Sequence, residues 1–96
     1  MLFDWDPRKA ILNIKKHGVS FELAQTVFDD PFQLSIIDSK KPHGEERWVT
    51  LGRSVHFDTL VVVHTYRAIE SGREIIRIIS ARTATKHERR QYEEGI

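Results

Sequence analysis

Arginines interrupt an isoleucine-rich stretch near the end of the chain, REIIRIISAR, which runs from Arg73 to Arg82. The stretch is typical of a β-strand, and a guanidinium group cannot be buried in a sheet without a partner. If Ile76 and Ile78 point into the protein, alternation places Arg77 on the opposite, open face of the sheet. An arginine there would either pair with an acidic neighbour or contribute to a surface that binds an anion.

Other cationic and acid–base side chains could converge on the same face as Arg77. Such a set would suit RNA cleavage, which needs no metal ion. In that reaction a base takes the proton of a ribose 2′-hydroxyl, cations stabilise the added charge of the phosphorane, and an acid protonates the departing 5′-oxygen. Histidine or glutamate could supply the base. The candidates beside Arg77 are Lys16, His17, Arg47, Arg53, His64 and Arg82.

These candidates also have purely structural interpretations. His17, in the last turn of a predicted helix, could stabilise the helix dipole. His64 could be a buried sheet histidine whose hydrogen bonds are made within the protein. Arg77 could pair across the sheet with an acid such as Glu46. The sequence leaves the structural and the catalytic roles open side by side.

Length and composition limit the class of protein. The 96 residues suffice for one domain, and apolar and charged fractions of 40% and 30% are ordinary for a globular protein. No apolar run approaches the roughly 18 residues of a membrane helix. The N-terminus carries acids where a secretory signal would be basic, and the chain has no cysteine. We therefore expect a cytoplasmic protein in which residues 1–96 form a single domain.

Charge is distributed unevenly, although the formal net charge is only +1. Residues 1–46 carry six Lys and Arg against eight Asp and Glu. Residues 47–96 carry nine against six, and eight of those nine are arginine. Because the planar guanidinium suits bidentate phosphate contacts, the second half favours a nucleic-acid partner. A solvated surface of mixed ion pairs would give the same pattern.

Motifs for other chemistries are missing from the sequence. The histidines, at positions 17, 43, 56, 64 and 87, lack the spacing of a zinc site. The serines stand in no G-x-S-x-G context, and the glycines are scattered at turn positions rather than gathered in a phosphate loop. We expect no bound metal and no cofactor.

Periodicity predicts an α+β fold of the order β-α-α-β-β-β-β-α, with a short edge strand at its start. Asp6 and Pro7 begin a first helix over about 7–17, and Gly18 ends it. Ser20 begins a second helix that ends at Asp29-Asp30-Pro31. A capping box of Thr85 and Glu88 begins the last helix, which runs to about residue 94.

Four strands are predicted at roughly 32–38, 46–53, 58–66 and 73–82, with turns at 41–44, 54–57 and 70–72. The short connections favour an antiparallel twisted sheet. The N-terminal helix pair and the C-terminal helix should pack mainly on one face. The other face should stay partly uncovered.

Several motifs together resemble those of the BrnT family of toxins. They include K-H-G at Lys16–Gly18 and I-S-A-R-x-A…E-R-x-x-Y from Ile79 to Tyr92, and the likeness covers nearly the whole chain. The resemblance implies a type II toxin–antitoxin toxin, a small ribonuclease with a fold distantly similar to RelE that arrests growth by halting translation. It also implies a partner, BrnA, a ribbon-helix-helix DNA-binding antitoxin. The toxin would meet DNA only through the toxin–antitoxin complex.

The sequence and the resemblance together give a set of predicted site residues. Arg77 and Arg82 would bind phosphate and stabilise the transition state, with His17 or Glu46 as general base. Lys16, Arg47 and Arg53 would contact the RNA. Two alternatives stay open: a non-catalytic module that binds nucleic acid or protein, and a degenerate toxin that retains only antitoxin binding.

Overall fold

The structure, a computed structural model, describes residues 1–39, 46–68 and 71–95. It confirms the α+β fold with a five-stranded sheet, and each predicted strand agrees with an observed strand to within two residues at each end. The predicted turn at 41–44, with His43, lies outside the described residues. The elements are β1 (Leu2–Asp4), α1 (Pro7–His17), α2 (Phe21–Gln25), a 3₁₀ helix (Thr26–Asp29), β2 (Leu34–Ser39), β3 (Arg47–Arg53), β4 (Thr59–Ala68), β5 (Glu74–Thr83) and α3 (Lys86–Glu94).

Capping residues set the ends of α1 as predicted. The Asp6 carboxylate accepts a hydrogen bond from the Arg8 N–H at 2.9 Å, and Pro7 occupies the first helical position. Gly18 has φ 70°, and its N–H donates to the Ile14 carbonyl at 2.8 Å. The second helix begins after Ser20 as predicted but is shorter, because α2 tightens into the 3₁₀ helix.

The sheet has the strand order β1-β5-β4-β3-β2, and β2 to β5 form the predicted antiparallel meander. The edge strand β1, for which no pairing direction was predicted, runs parallel to β5 over Ile75–Arg77. No hairpin connects these two strands, so local sequence carries no signal for the direction of their pairing.

One face of the sheet packs against α2 and the 3₁₀ helix. The 3₁₀ helix lies so close to β3 that a Cβ atom on Gly52 would be 2.6 Å from Val27 Cγ1. This contact excludes a side chain at Gly52. The buried core is formed by Val19, Phe21, Ala24, Val27, Leu60, Val62, Ile76, Ile78 and Ala81.

The prediction that all the helices pack mainly on one face is wrong for the third helix. It lies on the other side of the sheet, where Glu88 and Gln91 border a groove above Leu34, Val49 and Val61. It covers only one end of that side, because it has nine residues. We call the side of the sheet away from α2 the open face. Its side chains include Ile36, Arg47, Val49, Val63, Thr65, Arg77 and Arg82.

Candidate functional site

A β-bulge places both predicted phosphate-binding arginines of β5 on the open face. Arg82 is five positions after Arg77, so strict alternation would put the two on opposite faces. Val63 pairs with Ser80 and His64 pairs with Ile78, which leaves Ile79 as an extra residue in β5. The extra residue shifts the alternation by one position, so Arg82 returns to the side of Arg77.

Two arginines lie in one row across the open face. Thr65 pairs with Arg77, and Arg77 pairs with Asp4 of β1. Arg47 precedes Trp48, the register partner of His64, and therefore lies beside Thr65. Strands are spaced about 4.8 Å apart, so the backbones of Arg47 and Arg77 are roughly 10 Å apart. Their side chains are long enough to meet.

Arg77 forms an ion pair with Asp4, not with the acid predicted from the sequence. The two side chains are 44% and 50% exposed. An exposed pair of this kind contributes little to stability, so a phosphate oxygen can replace the carboxylate at low cost. The guanidinium is thus held in place but remains available to an anion.

Arg82 is held more firmly. Its guanidinium donates two hydrogen bonds to the Glu88 carboxylate, at 2.7 and 2.9 Å. The same carboxylate accepts the Thr85 N–H at 2.8 Å as part of the capping box of α3. The Arg82 hydrogen bonds lower the pKa of Glu88 to about 2, and Glu88 in turn raises the pKa of Arg82. Arg82 therefore attaches α3 to the sheet.

The Arg82–Glu88 pair gives a first prediction. We expect Glu88→Gln to lower the free energy of unfolding by about 1 kcal/mol at pH 7, a value reduced for the partial exposure of the pair. Because the Glu88 pKa is lowered in the folded state, its contribution is present above the usual value of 4.5 and is lost as the pH falls toward 2. Urea unfolding at pH 7 and pH 2.5 measures this, with the exposed Glu93→Gln as control. A difference between wild type and Glu88→Gln that stays constant with pH would contradict it.

Lys16 and His17 lie at the edge of β5, beside the end that carries Arg82. The buried Asn13 donates to the carbonyls of Val19 and Ala81, each at 2.8 Å, and accepts the Ala81 N–H at 3.1 Å. These bonds attach α1 to the part of β5 that follows its pairing with β1. The last turn of α1 follows this attachment, with Lys16 exposed and His17 half-buried.

The remaining predicted residues divide between the two ends of β3. Glu46 is exposed and immediately precedes Arg47. Arg53 is six residues further along β3, about 20 Å from Arg47 at the usual rise per residue. Its guanidinium lies over the Tyr92 ring, 5.4 Å from the ring centre. The structure therefore brings Glu46, Arg47 and Arg77 toward one end and leaves Arg53 at the other.

His64 is not on the open face but is fully buried on the side of α2. Its Nε2 atom is 2.6 Å from the Thr50 hydroxyl, which is 2.7 Å from the Ser35 hydroxyl. Phe28 and Tyr66 pack edge-on against its ring. Burial lowers the pKa of His64 to about 4. The burial of His64 supports its structural interpretation, but only Nε2 is hydrogen-bonded, and the buried Nδ1 atom has no partner among the described residues.

The buried His64 gives a second prediction. Its pKa is depressed, so between pH 6.5 and about 4 the unfolded chain binds a proton that the folded chain excludes. We expect wild type to lose about 2 kcal/mol of stability from this group between pH 7 and pH 5. Urea unfolding should show that His64→Asn removes this part of the pH dependence, whereas His56→Asn, at an exposed position, keeps it. An unchanged slope in His64→Asn would contradict the account.

Within the residues that the structure describes, no three or more histidine, aspartate or glutamate side chains are grouped so as to hold a metal ion. In the same part of the chain, no helix has the length and apolar character needed to cross a membrane.

A solved crystal structure shares the fold of this chain. The crystal structure of the Brucella abortus ribonuclease toxin BrnT matches 90% of this chain and 100% of its own, with a TM-score of 0.53 and 21% identity. At that identity the match shows a shared fold. Comparison with curated protein sequences gives no match.

A match to a family model shows the family of the chain. Residues 5–88 match the model of the BrnT ribonuclease toxins of type II toxin–antitoxin systems, and the chain belongs to this family. The resemblance found in the sequence is confirmed. The protein is a ribonuclease toxin, and its toxin–antitoxin context implies an antitoxin partner and RNA targets.

Proposed function

We propose that the protein is a metal-independent RNA endonuclease that inhibits translation in the cytoplasm and is neutralised by a ribbon-helix-helix antitoxin of the BrnA type. The observation that carries the catalytic part is the row of Arg47, Thr65 and Arg77 on the open face. Two guanidinium groups from different strands can reach a single phosphodiester there. They would supply the positive charge that a phosphorane requires without a metal ion.

Arg82 would contact a neighbouring phosphate of the same RNA strand. It is five residues from Arg77 along β5, about 16 Å at the usual rise, too far for the same phosphate. A guanidinium has five N–H donors, and the Glu88 carboxylate occupies two of the nitrogens that carry them. The Thr83 carbonyl accepts a longer bond from Nη1 of the same guanidinium, at 3.5 Å. The other donors are available to an RNA that runs along β5, with Lys16 beside it.

Two residues remain candidates for the general base that removes the 2′-hydroxyl proton. Glu46 stands next to Arg47, close to the row with Arg77. His17 lies toward the Arg82 end of β5, on the turn that follows Asn13. Cleavage rates of Glu46→Gln and His17→Gln distinguish them, because only loss of the base should reduce cleavage by about 100-fold or more.

Cleavage of RNA in EDTA tests the proposed chemistry. We expect discrete cuts that leave a 2′,3′-cyclic phosphate and a 5′-hydroxyl, because the 2′-oxygen is the nucleophile. Replacing the nucleotide 5′ to each cut with its 2′-deoxy form should prevent that cut. A requirement for a divalent cation, or products with a 3′-hydroxyl, would contradict the mechanism.

The alternative of a binding module gives a different result in the same assay. RNA binding without cleavage, with affinity that falls steeply as salt rises, would favour that alternative. A degenerate toxin would bind its antitoxin but neither cleave RNA nor arrest growth.

A further inference from the structure

Large apolar side chains are exposed together at the end of the sheet remote from Arg77. Phe32, Val55 and Phe57 are 74%, 59% and 81% exposed. We call these three residues the end patch. Phe32 borders a cavity of about 520 Å³, while Val55 and Phe57 border a second of about 210 Å³. Arg53 lies between the two cavities and lines both.

A single carboxylate joins three segments of the chain beside the end patch. Asp30 accepts hydrogen bonds from the Phe32 N–H at 2.9 Å, from the Arg53 N–H at 2.8 Å and from the Tyr92 hydroxyl. Burial acts to raise the pKa of Asp30, but these hydrogen bonds outweigh it and hold the pKa below its usual value. Three segments of the chain therefore meet at one ionised group. A surface fixed in this way loses little conformational entropy when a partner binds.

The backbone conformation at Phe57 is unfavourable for a bulky residue. It has φ 69° at the tip of the β3–β4 turn, a conformation that suits glycine or asparagine and is rare for a bulky residue. Its ring is also the most exposed among the large hydrophobic side chains that the structure describes. Neither backbone preference nor packing accounts for an aromatic residue here. Backbone strain and exposure of a large apolar side chain are together typical of a residue that binds a partner.

The surroundings of the end patch are acidic. Asp29 and Asp30 line the smaller cavity, and Glu93 and Glu94 line the larger one. The only cationic residue among the residues that line either cavity is Arg53, which the Tyr92 ring and Asp30 already engage. A phosphate backbone would be repelled by these carboxylates. A protein segment with apolar side chains flanked by lysine or arginine would match the patch in both shape and charge.

We propose that the end patch is the docking site of the antitoxin, through a segment that places apolar side chains against Phe32 and Phe57 and basic side chains against the surrounding carboxylates. The inference relies on the proposed function in taking the antitoxin as the partner. A second copy of this chain is less suitable, because two end patches that met about a two-fold axis would bring the carboxylates around each of them face to face.

The position of the end patch also explains how docking there can block RNA. Leu34 lines both the 520 Å³ cavity and the groove between α3 and the sheet. That groove continues over Val49 and Val61 on the open face. A segment anchored at the end patch can therefore extend through the groove toward Arg77 and Arg82.

Neutralisation by the antitoxin encoded beside the toxin gene tests the proposal. The variant Phe32→Ser/Phe57→Asn removes both rings, and asparagine relieves the backbone at position 57, so the protein should fold at least as well as wild type. We expect it to stay toxic when the antitoxin is co-expressed. Its dissociation constant for the purified antitoxin should rise by about 30-fold or more, as for loss of an interface hot spot. Glu93→Lys/Glu94→Lys should also weaken binding.

Leu12→Ser is the matched control, since Leu12 is 61% exposed on α1 and lines neither of the two cavities. It should be neutralised like wild type. Normal neutralisation of Phe32→Ser/Phe57→Asn would overturn the proposal, as would self-association or RNA binding that this variant alone abolishes. Cleavage and growth arrest measured without antitoxin test the proposed function separately, because the binding measurement does not depend on catalysis.

Discussion

Arg77→Ala should reduce RNA cleavage by at least about 100-fold and abolish growth arrest, because it removes a charge aimed at the transition state. The fold should be kept. Among the residues that the structure describes, Arg77 pairs with Asp4; both side chains are well exposed, and such pairs contribute at most about 1 kcal/mol. Colony growth under induction, cleavage of labelled RNA and thermal unfolding of the purified variant measure the three parts of this expectation.

Two control variants test whether cleavage depends on the Arg77 guanidinium itself. Asp4→Asn removes the partner of Arg77 without removing the guanidinium, so cleavage should stay within a few-fold of wild type. Arg89→Ala removes an exposed arginine of α3 and should have no effect on cleavage. Full toxicity of soluble Arg77→Ala would remove this residue from the mechanism.

Asn13→Ala should lower the free energy of unfolding by about 4 kcal/mol, since three hydrogen bonds are lost and their backbone partners stay buried. Asn13 is 6% exposed and bonds to Val19 and to both backbone groups of Ala81. Its side chain makes the hydrogen bonds to the outer edge of β5 that a neighbouring strand would otherwise make. Loss of these bonds should also release the last turn of α1, with Lys16 and His17.

Urea unfolding at pH 7 measures the effect, with Leu12→Ala on the exposed side of the same helix as control. The control should change stability by less than about 0.5 kcal/mol. A similarly small change for Asn13→Ala would show that α1 is held to the sheet by other contacts.

Local signals in the sequence predicted three helix ends and the alternation of Ile76, Arg77 and Ile78 correctly. Asp6, Gly18 and Thr85 stand at helix ends because their side chains or backbone freedom satisfy groups that the helix leaves unpaired. Ile76 and Ile78 are buried and Arg77 is exposed, as period-two alternation requires. These features depend only on residues close in sequence.

Features that depend on distant residues were not predicted. The bulge at Ile79 has no signature in the sequence, yet it decides the face on which Arg82 lies. The roles of Asn13 and Asp30 arise from contacts with Ala81 and Tyr92, far away along the chain. Arg47 and Arg53 are arginines at opposite ends of β3. The sequence therefore did not show that only one of them lies near Arg77.

NMR mapping with an uncleavable 2′-deoxy-substituted RNA tests most directly whether RNA lies on the open face. The substitution removes the nucleophile, so the complex should persist without cleavage. We expect amide shift changes to cluster at Arg47, Thr65 and Arg77 and to continue along β5 to Arg82, with none at Phe57. Changes centred on the end patch or on α2, with the β3–β5 rows unaffected, would contradict the placement of the active site.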